Sequence, residues 1–312
     1  MSAPTPDILV EAYARISLAN RRMLDKLAEV LALFYQQKID CILLKGADIL
    51  PRLYGVRGIR PMADADLLVR ERDLHAIDAL LTGLGFVPQI DGNPVYRDPD
   101  SRLLLDLTTE VWHGDDLEGI WRRARERTAA GQPVKGMGTD DLLIYLTAYS
   151  VLHRGHFQPS FSQDIILLAG KEVLDWDFIL REAGRLHLKI PLYHGLSHVC
   201  RAEYTTIPAR VLLRLAPATA VEKAWHALLK KLVTVRPLDD IGHLLMLIAL
   251  PWNMKWRRLK QIFWPPSTFL KYRYGENSAA LPVLTRMIRA FQLTWQAHLL
   301  AWRILDRLVA RR

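Results

Sequence analysis

The chain has 312 residues, 50% hydrophobic and 24% charged, with 42 Lys and Arg against 33 Asp and Glu for a net charge of +9. That length buries a core without staples, and 2 cysteines, Cys41 and Cys200, set in apolar stretches with no CxxC or Cys/His cluster, exclude a disulfide scaffold and a structural zinc site. Met1 to Asp7 has neither a basic nor an apolar leader region, and no run reaches the ~18 apolar residues of a membrane span, so the sequence predicts a cytoplasmic protein with anionic partners.

From Asp7 to about Gln37, Ile8, Ala12, Ile16, Leu24, Leu27 and Leu31 recur at helical spacing and predict a long amphipathic helix. A strand follows, Asp40 to Leu44, ending at Lys45-Gly46, and a short helix runs from Ala47 to about Tyr54. A loop with Gly55, Arg57, Gly58, Arg60 and Pro61 leads into a second strand, Ala63 to Val69. Arg70 to Asp73 opens a helix that closes at Gly83. Pro94 to Arg97 and Arg102 to Leu107 read as a strand pair across Asp98-Pro99-Asp100.

Beyond about residue 138 the strand signals stop. Amphipathic runs at 140–153, 161–170, 175–186, 189–203, 207–215, 219–233, 238–250 and 282–309 predict consecutive helices, several opening at capping residues such as Thr139, Ser160 and Asp175. The expectation is an α+β protein: residues 1–138 form a small α/β head with a mixed sheet, and residues 139–312 form an all-helical domain on the acceptor side of a cleft.

The chemistry concentrates in Arg60-Pro-Met-Ala-Asp64-Ala-Asp66-Leu-Leu-Val69. Alternation along a strand puts Asp64 and Asp66 on one face, about 7 Å apart, with Ala65 and Leu67 on the other. Two like charges on one face call for a cation, and a hard divalent ion shared with substrate phosphates suits them. A bare D-x-D more often marks a solvated strand edge. Here it follows a strand that ends in Lys45-Gly46 and opens into a helix. There a glycine admits a phosphate, the helix start offers N–H groups, and Lys45 adds charge. Asp106, inside the apolar strand Arg102 to Glu110, is costly unless paired. If that strand lies beside 63–69, Asp106 completes a three-carboxylate site able to hold two metals. The bland alternative for it is a salt bridge to an arginine.

Other residues point to structure before chemistry. Arg57 and Arg60 suit phosphates or carboxylates equally. His153 and His156 read as structural, and Asp164 as compensation for a helix dipole. In Pro251 to Trp264, Trp252, Trp256, Leu259 and Phe263 share one helical stripe beside Lys and Arg. The sequence expects that stripe to pack into the body, with a peripheral membrane or nucleic-acid contact as the alternative.

Leu43-Leu-Lys-Gly46, Leu53-Tyr54, Arg60-Pro-Met-Ala-Asp64-Ala-Asp66-Leu-Leu-Val69 and Leu84-Gly-Phe86 resemble the uncharacterised nucleotidyltransferase family of the DNA polymerase β-like superfamily, as does the later run Phe263 to Tyr274. The resemblance implies transfer of a nucleoside monophosphate from an NTP, such as ATP, with Mg²⁺ (or Mn²⁺) and release of pyrophosphate. It implies Asp64 and Asp66 as metal ligands, Asp106 as the third carboxylate, and Lys45, Gly46 and Arg60 on the phosphate side. The acceptor stays open between a small molecule, a peptide or protein, and RNA. Two departures stand out: Lys45-Gly46 replaces the superfamily's Gly-Ser, and Thr108 stands where many relatives carry histidine. The second bears on acceptor specificity or orientation; the first motivates a competing reading, an idle nucleotide- or partner-binding module that kept the fold.

Overall fold

The helical periodicity that starts at Asp7 folds as one helix, α1 (Pro6–Gln36), whose Leu24, Leu27, Val30, Leu31 and Phe34 are buried. The computed structural model describes residues 6–54, 59–90, 94–111, 116–129, 131–202, 207–233, 241–250, 252–275 and 282–309. The chain divides into two compact units, residues 1–138 and 139–312.

Unit one is built on a seven-stranded mixed sheet in the order β3-β4-β5-β2-β1-β7-β6. Its strands are β1 (Cys41–Leu44), β2 (Ala65–Val69), β3 (Val87–Gln89), β4 (Val95–Arg97), β5 (Leu104–Thr108), β6 (Arg125–Ala129) and β7 (Gln132–Gly136). β1 and β2 have every residue buried, so both their faces are covered; β1 reads as a continuous apolar run and β2 as one broken by Asp66. They pair antiparallel with Leu44 opposite Asp66, while β2 pairs parallel with β5 in a register that sets Asp66 opposite Asp106. α1 and α3 (Leu74–Gly83) pack their apolar stripes onto the same core as Leu43, Leu67, Leu105 and Phe86.

The turn after β1 differs from expectation. α2 (Lys45–Ile49) begins at Lys45 itself and runs into a π-helical turn over Leu50–Tyr54, so Lys-Gly forms the helix's first turn and not a loop before it. Lys45 takes a left-handed φ of 46°, a conformation an L-residue holds only when its surroundings impose it. α4 (Leu117–Arg123), capped by Asp116, completes the unit.

Unit two is helical throughout its described residues: α5 (Thr139–Ala148) with a π-helical turn at Tyr149–His153, α6 (Pro159–Lys171), α7 (Trp176–Arg185), α8 (Lys189–Ala202), α9 (Ala209–Leu215), α10 (Ala220–Leu232), α11 (Ile241–Ala249), α12 (Trp252–Phe263), α13 (Ser267–Tyr274) and α14 (Pro282–Val309). Asp175 caps α7 by accepting from Phe178 N–H, and Thr219 with Glu222 closes a capping box on α10. Ser160 is not a cap, because Pro159 occupies the first helical position ahead of it. Asp164 is fully buried well inside α6, so it belongs to the core and not to a first-turn dipole contact.

Candidate active site

The chemistry-bearing residues of unit one gather where β1, β2 and β5 meet. Asp66 and Asp106 are register partners on adjacent parallel strands, which sets their Cα atoms about 4.8 Å apart with side chains on one face. Asp64 stands one residue before β2, half-buried. Asp66 itself is only 5% exposed. Two carboxylates this close inside a sheet repel strongly unless a cation intervenes.

That cation is Lys45. Its ammonium lies 2.6 Å from Asp66 Oδ1, with both side chains largely buried. The antiparallel register makes this contact possible: Leu44 sits opposite Asp66, and the left-handed turn at Lys45 directs the next side chain back across the strand end. A second cation is adjacent. A Cβ added to Gly46 would stand 2.7 Å from Arg60 Nη1, so the absence of a side chain at Gly46 is what lets the buried Arg60 guanidinium lie over this turn. Lys45, Gly46, Arg60 and Asp66 thus form one contiguous group, with Asp106 beside it.

Two residues that sequence reasoning passed over hold this arrangement. Asn20 of α1, 1% exposed, donates from Nδ2 to the Arg60 carbonyl at 2.8 Å and accepts from Met62 N–H at 2.9 Å. It thereby clamps the segment entering Asp64 from both sides of Pro61. Asp48, 2% exposed, accepts from Arg52 at 3.0 Å and lies 3.8 Å from Arg127 Nε, while Gly136 leaves room for its carboxylate. The polar type of Asn20 on the apolar stripe of α1 was the available signal. Nothing in the sequence named its partner 40 residues away.

Carboxylate oxygens are the donors a hard divalent cation takes, and the strand register brings two of them side by side. With Lys45 on Asp66, however, no group of three or more His, Cys, Asp or Glu among the described residues is spaced to hold a metal ion. The carboxylates are of the donor type that Mg²⁺ takes, and the Lys45 ammonium holds the counter-charge position on Asp66.

The remaining candidates fall elsewhere. Arg57 lies outside the described residues. Thr108 donates its hydroxyl to the Glu110 carbonyl at 2.8 Å and so stabilises the local turn after β5. His153 stacks on Tyr149 at 4.5 Å, and His156 contacts the Arg154 carbonyl, both local contacts within unit two. Cys41 begins β1, four residues from Lys45, and burial pushes its thiol up to about 12, which keeps it unreactive.

The chain belongs to the family described as "Uncharacterised nucleotidyltransferase", which matches residues 1–202. Among solved structures it is similar to the antibiotic-resistance factor ANT(2'')-Ia, 15% identical over 59% of this chain and 100% of that one, with a TM-score of 0.42. It is also similar to an antigenic nucleotidyltransferase-like protein from Paracoccidioides brasiliensis, 19% identical over 59% and 94% of the two chains, with a TM-score of 0.39. No curated protein matches the sequence. The fold is α+β, a nucleotidyltransferase-like mixed-sheet head followed by a helical region, and the protein is a transferase of nucleotidyl groups by family.

Proposed function

We propose that the protein transfers a nucleoside monophosphate from an NTP to an acceptor, with release of pyrophosphate. The observation that carries the reading is the register pairing of Asp66 with Asp106 beside the Lys45 ammonium. Asp64 and Asp66 would hold Mg²⁺, which when bound polarises the phosphoryl oxygens and offsets charge on the leaving group. Lys45 and Arg60 place two cations at the Gly46 turn, and these would meet the triphosphate. In the transfer, an acceptor oxygen attacks the α-phosphorus, the bond from that phosphorus to the oxygen bridging toward the β-phosphate breaks, and pyrophosphate departs with the bond pair. The acceptor's proton passes to the Asp106 carboxylate.

The acceptor class stays as the sequence left it: a small molecule, a peptide or protein side chain, or an RNA end. The test is label transfer. Each α-labelled NTP is incubated with the protein, Mg²⁺ or Mn²⁺, and a cell extract, and the labelled product is isolated. Wild type labels an acceptor and the Asp64→Ala/Asp66→Ala double variant does not. Equal labelling by that variant overturns the site, and an absence of both transfer and metal-dependent NTP binding points to the idle-module reading.

A further inference from the structure

The sequence expectation for the aromatic stripe near residue 252 is reversed. Trp252 and Trp256 of α12 are 70% and 61% exposed, and Phe263 and Trp264 are exposed as well. The same inversion is stronger on α14. Leu284, Ile288, Phe291, Trp295, Leu299 and Trp302 fall within about 80° of arc at 100° per residue, on a helix about 42 Å long, and every one of them is exposed. The edge that packs is the arginine edge. Arg286 Nε donates to the Pro265 carbonyl at 3.0 Å and its guanidinium lies over Trp264. Arg289 Nε donates to the Ile262 carbonyl at 3.1 Å, and Nη1 reaches Tyr274 Oη at 3.2 Å. From Thr294 to Leu299 all residues are exposed. A helix in water normally turns its apolar face inward, and contiguous apolar surface of this extent on a protein marks an interaction site.

Charge identifies the occupant. Residues 252–312 carry 12 Lys and Arg against 2 Asp and Glu, a net +10, whereas residues 1–251 carry 30 against 31. The whole positive charge of the protein therefore travels with the exposed apolar stripe. A second copy of the chain would bring +10 against +10. A nucleic acid would meet the charge and stack on tryptophan, but would leave the aliphatic Leu284, Ile288 and Leu299 in water. An anionic lipid surface meets both: headgroups take the Lys and Arg, and the acyl boundary takes the Trp, Phe, Leu and Ile. No helix among the described residues is long and apolar enough to cross a membrane, so such a helix lies along the surface. We propose that α12 and α14 form a docking surface for anionic phospholipid, with the stripe Leu284 to Trp302 embedded at the headgroup–acyl boundary. The proposal is independent of the nucleotidyl-transfer reading.

The full chain is incubated with vesicles of phosphatidylcholine alone or mixed with phosphatidylglycerol, at low and high salt. Binding is read by co-sedimentation and by the blue shift and brominated-lipid quenching of tryptophan fluorescence. Wild type binds the anionic vesicles, binds neutral ones at least ~10-fold more weakly, and loses affinity with salt. The variant Phe291→Ser/Trp295→Ser/Trp302→Ser alters only exposed positions. It keeps the far-ultraviolet circular dichroism of wild type and loses at least ~10-fold in vesicle affinity. Failure to bind anionic vesicles overturns the proposal. So does equal binding by the variant, a lipid-free dimer that the triple substitution dissociates, or tighter binding to RNA that excludes vesicles.

Discussion

The Lys45 ammonium sits 2.6 Å from Asp66 Oδ1 at the point where Asp66 and Asp106 face each other across two parallel strands. Lysine there does for the apo protein what a bound cation does for a carboxylate cluster: it offsets charge repulsion inside the sheet. Lys45→Met removes that charge while keeping an unbranched stem, and is expected to destabilise the protein by about 3 kcal/mol, the scale for breaking one side of a buried pair. Millimolar Mg²⁺ is expected to recover part of the loss in the variant and to change wild type less, because in wild type the cation must displace the Lys45 ammonium. Urea denaturation with Mg²⁺ and with chelator measures both. A variant as stable as wild type in chelator sinks the argument.

Asn20 supplies a second prediction. Its amide makes two bonds to the backbone on either side of Pro61, and neither backbone group has ready access to water in that buried setting. Asn20→Leu keeps the volume and removes both bonds, which is expected to cost about 2–4 kcal/mol. Turnover in the label-transfer assay should fall further than stability alone explains, because the segment being released carries Arg60 and Asp64. Unchanged thermal unfolding would show that the clamp is dispensable.

Much of this site was legible in the sequence because it is local. The D-x-D alternation, the glycine after the first strand and the lone carboxylate in Leu103 to Leu107 each carry their message within a few residues. The parallel register of β2 and β5 then set Asp106 beside Asp66, as the three-carboxylate reading required. The edge strands β3 and β6 were missed, and with them β7, which lies between β6 and β1. β6 and β7 carry Arg125, Glu126, Arg127 and Lys135, and β3 contains Pro88, so these peripheral strands lack the apolar alternation of a half-buried strand. Also illegible were the Asn20 clamp, formed 40 residues apart, and the outward stripe of α12 and α14. Amphipathicity shows that a helix has an apolar face without showing which side the protein turns inward.

Gly46 tests the phosphate side. In Gly46→Ala the new Cβ lies 2.7 Å from Arg60 Nη1, and the flexible guanidinium must withdraw. The fold should persist, since the clash is with the end of a long side chain. Apparent KM for the NTP is expected to rise ~10-fold with a smaller change in kcat, as befits lost ground-state binding. Equal loss in kcat and kcat/KM would instead assign Gly46 to the transition state.

His194 gives the fourth prediction, in unit two. It lies on α8, 7% exposed, with its ring 5.4 Å from that of His226 and 5.5 Å from Phe157, and neither ring nitrogen has a hydrogen-bond partner among the described residues. Burial first, and then the positive charge of His226, His198, Arg201 and Lys230, pushes its pKa down to about 3. Burial likewise lowers those of His198 and His226. Below the ordinary histidine value of about 6.5, the unfolded chain takes up a proton that folded His194 refuses. Its neutral form therefore supports folding fully above that value, and the support is lost as pH falls from there toward about 3. Wild type should lose roughly 1 kcal/mol per pH unit to this residue across that window. His194→Leu should be at least as stable as wild type at neutral pH, because it removes two desolvated, unsatisfied nitrogens, and its advantage should widen on acidification. Chemical denaturation of both proteins at several pH values checks this. Parallel pH profiles for variant and wild type would mean that His194 titrates as freely in the folded state as in the unfolded one.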